Sequence, residues 1–183
     1  MTIHKKTIGF SLIIAVCLAG ASFLSVSAQN TSITAQQTEK IHSNCTSLKN
    51  TLNQLHSSDA LLRVNMGQTY ESVLTKLIDR FNSRLSNNKI NNDNLKSATS
   101  EYNTALDVFR LDYKTYEERL SDALNTDCSE QPAAFYDAVA IARGERIRVH
   151  ADVVRLDQLI DKYQQSLDQF EKDYRSVVQG LKK

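Results

Sequence analysis

One apolar stripe runs through the C-terminal part of the chain, and only Arg146 interrupts it. Its members follow one another at steps of three or four residues: Phe135, Val139, Ala142, Arg146, Val149, Val153, Leu156, Ile160, Tyr163, Leu167, Phe170, Tyr174 and Val177. A spacing of 3.5 residues held for about six heptads is typical of a long helix that packs lengthwise against other helices. The stripe therefore predicts an all-α protein in which the remaining chain covers this helix.

The first 28 residues have the layout of a secretory signal peptide. A basic start is followed by an apolar segment, and Val26 and Ala28 provide small residues at the minus-three and minus-one positions of a cleavage site. We therefore leave residues 1–28 out of the fold. The mature chain is expected to be extracytoplasmic, either secreted or tethered to the outer face of the cytoplasmic membrane.

An uncleaved membrane anchor is the alternative for this segment. Residues 8–28 are nearly as long as the about 20 apolar residues that span a bilayer. Lipid attachment fits less well, because Cys17 lies inside the apolar run and follows Val16 rather than a small residue. A membrane is therefore expected as a partner only through the N-terminal segment, and only if that segment is not cleaved.

Composition favours one helical domain after the signal. Removing residues 1–28 leaves 20 basic and 21 acidic residues in a chain of 155. This balance gives no general electrostatic reason to expect binding to nucleic acid or to anionic lipid. The whole sequence has one proline, five glycines and no tryptophan, so turn-forming residues are scarce and few connections are expected.

The periodicity predicts three long helices joined by short polar loops. Long helices joined in this way lie antiparallel to their neighbours, so the expected fold is an elongated, coiled-coil-like antiparallel three-helix bundle. The predicted segments are a flexible tether at 29–37 and, within a bundle at 38–183, helices at about 38–86, 92–126 and 130–179.

Local signals predict the helix ends and the buried face of the first helix. Asn91 is expected to cap the second helix, with a hydrophobic staple between Ile90 and Leu95. Ser129 is expected to cap the third helix, with Pro132 in its first turn. The buried stripe of the first helix is predicted to include Leu62, Met66, Thr69, Val73, Leu77 and Phe81, with Leu74, Ile78 and Leu85 on its flank.

Two cysteines remain in the mature chain, Cys45 and Cys128. In an exported protein an even pair is typical of a disulfide, and two unrelated free thiols are the alternative. The predicted topology agrees with a bond. The first helix leads away from Cys45, and the second returns to the loop that holds Cys128, so both residues fall at the same end of the bundle.

Polar residues interrupt the three stripes at one common height. Because the first and third helices are parallel, residues about 85 positions apart share a level. The predicted layer comprises Asp59, Arg63, Asp112, Arg143 and Arg146. One interpretation is a register-setting device of the kind found in coiled-coil seams. The other is a site for a small acidic or zwitterionic ligand, which a cavity of several hundred cubic ångströms would favour.

Patterns that would indicate catalysis or a metal site are missing from the sequence. The histidines of the mature chain, His42, His56 and His150, do not converge and lack the one-turn spacing of a helical zinc site. The sequence has no Gly-rich phosphate loop, no CxxC pair and no serine of the nucleophile-elbow type. We therefore expect no enzymatic activity, no cofactor and no bound metal.

Nucleic acid is not expected as a partner either. The one local basic patch consists of Arg143, Arg146, Arg148 and Arg155. Glu145, Asp152 and Asp157 interrupt this patch, and no aromatic residues alternate with the arginines to stack on bases.

Two strings of residues carry a resemblance to other proteins. They are Asp59-Ala60, Arg63-Val64, Gly67 and Tyr70, and Cys128, Gln131-Pro132, Phe135-Tyr136, Arg143, Arg146 and Val149-His150. Together they resemble an uncharacterised group of exported helical proteins from Saccharibacteria and related candidate-phyla bacteria, over nearly the whole mature chain. The resemblance implies export from a bacterium and adds no catalytic residue.

The sequence thus favours a secreted or cell-surface structural or protein-interaction module, and an extracytoplasmic small-ligand-binding bundle is the alternative. The third helix is predicted to extend beyond the part that the other two helices cover. A docking surface for a second copy or another protein is therefore expected there, and a frayed helix end is the alternative. The candidate docking residues are Tyr174, Val177, Val178 and Leu181.

Overall fold

The structure, a computed structural model, describes residues 33–181, and every regular element within that range is helical. The elements are α1 (Ala35–Ser72), a π-helical segment (Val73–Ile78), α2 (Asp79–Asn87), α3 (Asp93–Asn125) and α4 (Pro132–Gly180). The backbone stays helical from α1 through the π segment into α2, which makes them one long helix, the first long helix (35–87). The prediction of an all-α chain with three long helices is confirmed. The predicted signal peptide and its cleavage site lie outside the described residues.

The N-terminal boundary of the first long helix differs from the prediction. α1 begins at Ala35, inside the stretch 29–37 that was predicted to be a tether. The reason is a capping box between Thr34 and Gln37. The Gln37 amide donates to Thr34 Oγ1 (3.2 Å), and the Thr34 amide donates to Gln37 Oε1 (2.8 Å), which satisfies two backbone donors at the helix start.

The starts of α3 and α4 also differ from the predicted ones by one or two residues. Asn92, not Asn91, is the N-cap of α3, and the Asn91 side chain accepts a hydrogen bond from the first amide of that helix (3.1 Å). Ser129 does not cap α4, which starts at Pro132. The Ser129 amide instead donates to Asp127 Oδ1 (2.8 Å), so an Asp side chain shapes the turn before α4.

The π segment changes which face of the first long helix is buried. Leu74, Ile78 and Leu85 are buried, although they were predicted to flank the stripe, while Leu77 is 65% exposed. The predicted stripe is therefore wrong in this part. The buried residues Tyr70, Leu74 and Ile78 are four positions apart, and in an α-helix of 3.6 residues per turn each such step would rotate the side chain by about 40° around the helix. The wider π turn keeps them aligned.

The core lies mainly between α3 and α4. On the first long helix the half-buried Leu52 already packs against it, and fully buried side chains begin at Asp59. Within the described residues before Asp59, α1 buries no side chain. The buried residues of α3 are Leu95, Ala98, Tyr102, Leu106, Phe109, Tyr113, Tyr116, Leu120 and Ala123, and those of α4 are Phe135, Ala142, Leu156, Leu159 and Tyr163. This packing explains why the N-terminal half of α1 depends on other contacts to stay in place.

Hydrogen bonds between different helices establish the direction of each helix. The first long helix and α4 are parallel, with partners separated by 87 residues, whereas α3 runs the opposite way. The contacts are Asp59–Arg146 and Tyr70–Asp157 for the parallel pair, and Asp59–Tyr116 and Tyr70–Tyr102 for the antiparallel pair. None of the helices in the described range is both long and apolar enough to cross a membrane.

Cys45 and Cys128 lie side by side, near the start of α1 and in the loop after α3. Their sulfur atoms are at disulfide distance, their Cα atoms are 5.4 Å apart, and Cys128 is fully buried. Both Cα separation and side-chain direction suit a covalent link. The pair attaches the part of α1 that buries no side chains to the turn between α3 and α4.

Substituting Tyr102 by Phe should lower the free energy of unfolding by about 1–2 kcal/mol. Tyr102 is fully buried, and its hydroxyl donates to the backbone carbonyl of Tyr70 (3.1 Å), three residues before the π segment. Phe fills the same space but removes the buried hydrogen bond, so the carbonyl keeps only its backbone donor. Urea unfolding of both proteins measures the effect. Tyr136→Phe is the control, because Tyr136 is half-buried and its hydroxyl has no hydrogen-bond partner among the described residues, so its change should be near zero.

A candidate binding cleft between the first long helix and α4

An ion pair joins the first long helix to α4 at the predicted polar layer. Arg146 donates from Nε to Asp59 Oδ2 (2.7 Å) and from Nη2 to Asp59 Oδ1 (3.0 Å), a two-pronged arrangement. The Tyr116 hydroxyl donates to the same Asp59 Oδ2 (2.6 Å) from α3. Asp59 is 7% exposed, whereas half of the Arg146 side chain is exposed. The layer is thus closed on the side of Asp59 and open to solvent on the side of Arg146.

The ionisation of this cluster follows from its contacts. The hydrogen bonds from Arg146 hold the pKa of Asp59 below its usual range, although burial opposes them. The same carboxylate raises the pKa of Arg146. Burial and the adjacent Asp59 charge raise the pKa of Tyr116. At neutral pH the three groups are therefore an ionised pair and a neutral phenol.

A cleft of about 320 Å³ opens beside this ion pair. Its walls come from the first long helix and α4, and buried aromatic side chains of α3 form its floor. The lining residues are Asp59, Leu62, Arg63, Met66, Phe109, Tyr113, Tyr116, Arg146, Val149, His150 and Val153. The lining is mostly apolar with a few convergent polar groups, which is the usual composition of a site for a small molecule. We refer to this feature as the binding cleft.

The other arginines of the predicted layer occupy different positions. Arg63 lines the binding cleft and places its guanidinium over the Tyr113 ring, 4.6 Å from the centroid, without a carboxylate within 4.0 Å among the described residues. Arg143 is exposed and does not line the cleft. The structure therefore brings Arg63 to the site but leaves Arg143 outside it, one turn of α4 before Arg146.

Asp112 does not join Arg146, contrary to the sequence prediction. It lies on the side of α3 that faces α4, where its carboxyl group is close to that of Asp152. Burial, followed by the charge and hydrogen bonding of Asp112, raises the pKa of Asp152 to about 6. Asp152 Oδ2 is buried and has no hydrogen-bond donor among the described residues. Sequence reasoning did not find this pair, because Asp152 lies off the apolar stripe of α4.

Asp152→Asn should stabilise the protein at pH 7.5 by about 1–2 kcal/mol, a value reduced for partial solvent screening. The folded pKa of about 6 lies above the ordinary 3.8, so the folded state holds the proton more tightly than the unfolded state. Stability from this group is full below pH about 4 and is lost as the pH rises through 6. The asparagine variant should therefore match the parent at pH 4 and exceed it at pH 7.5. Melting curves at both values measure this, and an equal gain at both would contradict it.

Within the described part of the chain, the histidines and acidic residues do not assemble into a metal site. No group of three or more His, Cys, Asp or Glu side chains that would hold a metal ion occurs within residues 33–181. His150 lines the binding cleft, while His56 lies 3.6 Å from Glu117. His42 is exposed on α1, far along the helix from both.

The predicted docking residues lie at the C-terminal end of α4. Tyr174 and Val177 are 49% and 60% exposed and line a cleft of about 590 Å³ with the loop before α3. Leu181 is 82% exposed and Val178 is half-buried. Asn92 also lines this cleft. It is buried, and its side-chain amide has no hydrogen-bond partner among the described residues, which no sequence pattern predicts.

Comparisons with known proteins assign this chain to no family. No family profile matches the sequence, and neither curated proteins nor solved structures yield a significant match.

Proposed function

We propose that this protein is a non-enzymatic interaction module outside the cytoplasm, secreted or held at the cell surface of a bacterium. Its three helices would act as an antiparallel, coiled-coil-like bundle that presents a side surface to a protein partner. The N-terminal sequence supports export, and the resemblance to exported bacterial proteins agrees with it.

The observation that carries this proposal is the exposed apolar surface that lines the binding cleft. Leu62 is 56% exposed where it lines this cleft, and the half-buried side chains of Met66 and Val149 continue the apolar lining. Contiguous apolar side chains at a polar-rimmed surface are typical of protein-protein contact sites. The open side of the Asp59–Arg146 layer lies at the same height, so apolar and charged groups meet there as they do at interfaces.

Two measurements test the proposal. Protein recovered from outside the cytoplasm of the producing cells should begin at Gln29, as expected for cleavage after Ala28. A photo-crosslinker placed at position 62 should link the protein to a defined envelope protein on intact cells. The matched control carries the crosslinker at position 118, on the exposed side of α3. Retention in the cytoplasm, or the same products from both faces, would contradict the proposal.

Small-ligand binding is a second candidate function, and the volume of the binding cleft favours it. A space of about 320 Å³ is at the lower end for drug-sized ligands. Arg146 uses Nε and Nη2 on Asp59, which leaves Nη1 available, and Arg63 adds a second cation. A small molecule with an apolar body and one carboxylate would match these groups.

Isothermal titration with aromatic and branched-chain carboxylates tests this candidate. Binding should weaken at least tenfold in Arg63→Gln, a loss of about 1.4 kcal/mol. Arg143→Gln is the control, because Arg143 lies outside the cleft. Equal losses in the two variants would contradict the assignment.

A further inference from the structure

We propose that the outer side of the first long helix and α4 forms one groove that binds an amphipathic helix with acidic flanks, contributed by a protein partner. This inference rests on the proposed interaction function and specifies its partner. The outer groove is defined here as the binding cleft together with a second cleft of about 500 Å³ further along the same two helices.

The two clefts are consecutive. The second cleft is lined by Val73, Lys76, Leu77, Ile78, Arg80, Phe81, Arg84, Ile160, Tyr163, Gln164 and Leu167. Residues of α3 form only the buried floor of the first cleft and do not line the second. Both clefts therefore open between the first long helix and α4, on the side away from α3. The hydrogen bond from Tyr70 to Asp157 (3.3 Å) crosses between them and joins the same two helices.

The groove has the length and apolar character that a helix requires. Leu62 and Leu77 are 56% and 65% exposed, one in each cleft. Half-buried apolar side chains continue the surface between and beside them: Met66, Val73, Phe81, Val149, Val153, Ile160 and Leu167. From position 62 to position 81 the helix rises about 28 Å, which equals the length of a helix of about 19 residues. A partner helix there would be a fourth helix, packed against both the first long helix and α4 as in a four-helix bundle.

The positive charges along the groove predict acidic residues on the two sides of the partner helix. Arg63, Lys76, Arg80 and Arg84 line it, and none has a carboxylate within 4.0 Å among residues 33–181. The carboxylate in the two linings belongs to Asp59, and Arg146 already neutralises it. With Asp157 at the crossing included, positive groups still outnumber negative ones. The groove is thus apolar along its centre and cationic along one edge.

The spacing of these cations favours a helix over a membrane surface. Lys76, Arg80 and Arg84 follow one another at four-residue steps, so they form a row along the edge of a concave surface. Glutamates at four-residue steps on a bound helix would face this row one by one. Charge complementarity of this kind contributes more to specificity and association rate than to total affinity. Acidic flanks should therefore decide which helix binds.

Two synthetic peptides test the proposal on the purified, oxidised protein. Both are 21-residue amphipathic helices with the same leucine stripe, and one carries glutamates on its flanks where the other carries lysines. The glutamate peptide should bind at least tenfold more tightly by fluorescence anisotropy. In the double variant R63E/R80E the order of the two peptides should reverse. The double variant K40E/R155E makes the same change in net charge at exposed positions outside the groove, and it should keep the original order.

Equal affinities of the two peptides, or a reversal in K40E/R155E as well, would overturn the proposal. Absence of binding by either peptide at about 100 μM, an affinity too weak for a specific site, would also overturn it. Methyl signals of Leu62 and Leu77 should shift on binding, and shifts confined to Val108 and Leu111 on α3 would place the helix elsewhere. Crosslinking on cells separates the two proposals. If R63E/R80E is crosslinked to the same envelope protein as the parent, the groove proposal is wrong and the interaction function stands. If the parent protein is crosslinked to no envelope protein, the interaction function is wrong.

Discussion

Removing the Cys45–Cys128 link should lower the free energy of unfolding by about 4 kcal/mol, the largest effect expected for any change in this chain. The link closes a loop with a sequence separation of 83 residues, and chain entropy in the unfolded state gives a value of this size. The effect should be strongest in the N-terminal half of α1, because that part buries no side chains before Asp59. Amides of residues 35–58 should exchange through local opening after reduction, whereas the core amides of α3 and α4 should lose no more protection than the global loss of about 4 kcal/mol.

The reductant itself needs a control. Cys45→Ser combined with Cys128→Ser should show the same low stability with and without reductant. Peptide mapping of the parent without reduction should yield one linked pair that contains both cysteines. Two free thiols in that map, together with unchanged unfolding after reduction, would contradict the link.

Arg146→Met should destabilise the protein by about 2–3 kcal/mol at pH 7, the second-largest effect. Breaking a buried ion pair by removing one partner costs about 3–5 kcal/mol, because the remaining charge stays buried. Asp59 is buried and would lose both hydrogen bonds from Arg146. The Arg146 side of the pair is half-exposed, so water can partly solvate the remaining carboxylate, and the loss should fall below the full value for a buried pair. Urea unfolding of the two proteins measures the difference. Arg143→Met is the matched control and should change stability by less than about 0.5 kcal/mol.

The effect of Arg146→Met should depend on pH in one direction. The pKa of Asp59 is lowered in the folded protein, so its contribution to stability is present above about pH 4 and is lost as the pH falls through the folded pKa. The difference between parent and variant should therefore be constant from pH 5 to 8 and should shrink below pH 4. A difference that grows at low pH would show that Asp59 is not the group concerned.

Much of the helical architecture could be predicted from periodicity alone. The stripe of α4 and the buried face of α3 repeat at steps of three and four over many turns, and burial by neighbouring helices preserves such repeats. The shared level of Asp59 and Arg146 followed from the same reasoning, since helix rise is regular and loops are short. The proximity of Cys45 and Cys128 followed from the order of the helices.

The remaining features depend on contacts that a single repeat does not encode. The π segment is one, because the sequence around Leu74 and Ile78 fits two stripes and tertiary packing selects between them. The pairing of Asp112 with Asp152 is another, since rotation of a few tens of degrees decides whether Asp112 faces α1 or α4. The clefts depend on how closely helices approach. The periodic pattern predicts that Leu62 and Leu77 are buried, but both are exposed in the structure, where they line the two clefts.

The coupling energy between Asp59 and Arg146 tests the central claim most directly, namely that the first long helix lies parallel to α4 at an offset of 87 residues and leaves a groove between them. The measurement is a double-mutant cycle with Asp59→Ala, Arg146→Ala and the combination, each unfolded in urea at pH 7. The predicted coupling is about 2 kcal/mol, so the double variant should lose much less stability than the two single losses together. A coupling within about 0.3 kcal/mol of zero would mean that the two side chains do not meet, and the parallel offset and the groove would both be contradicted.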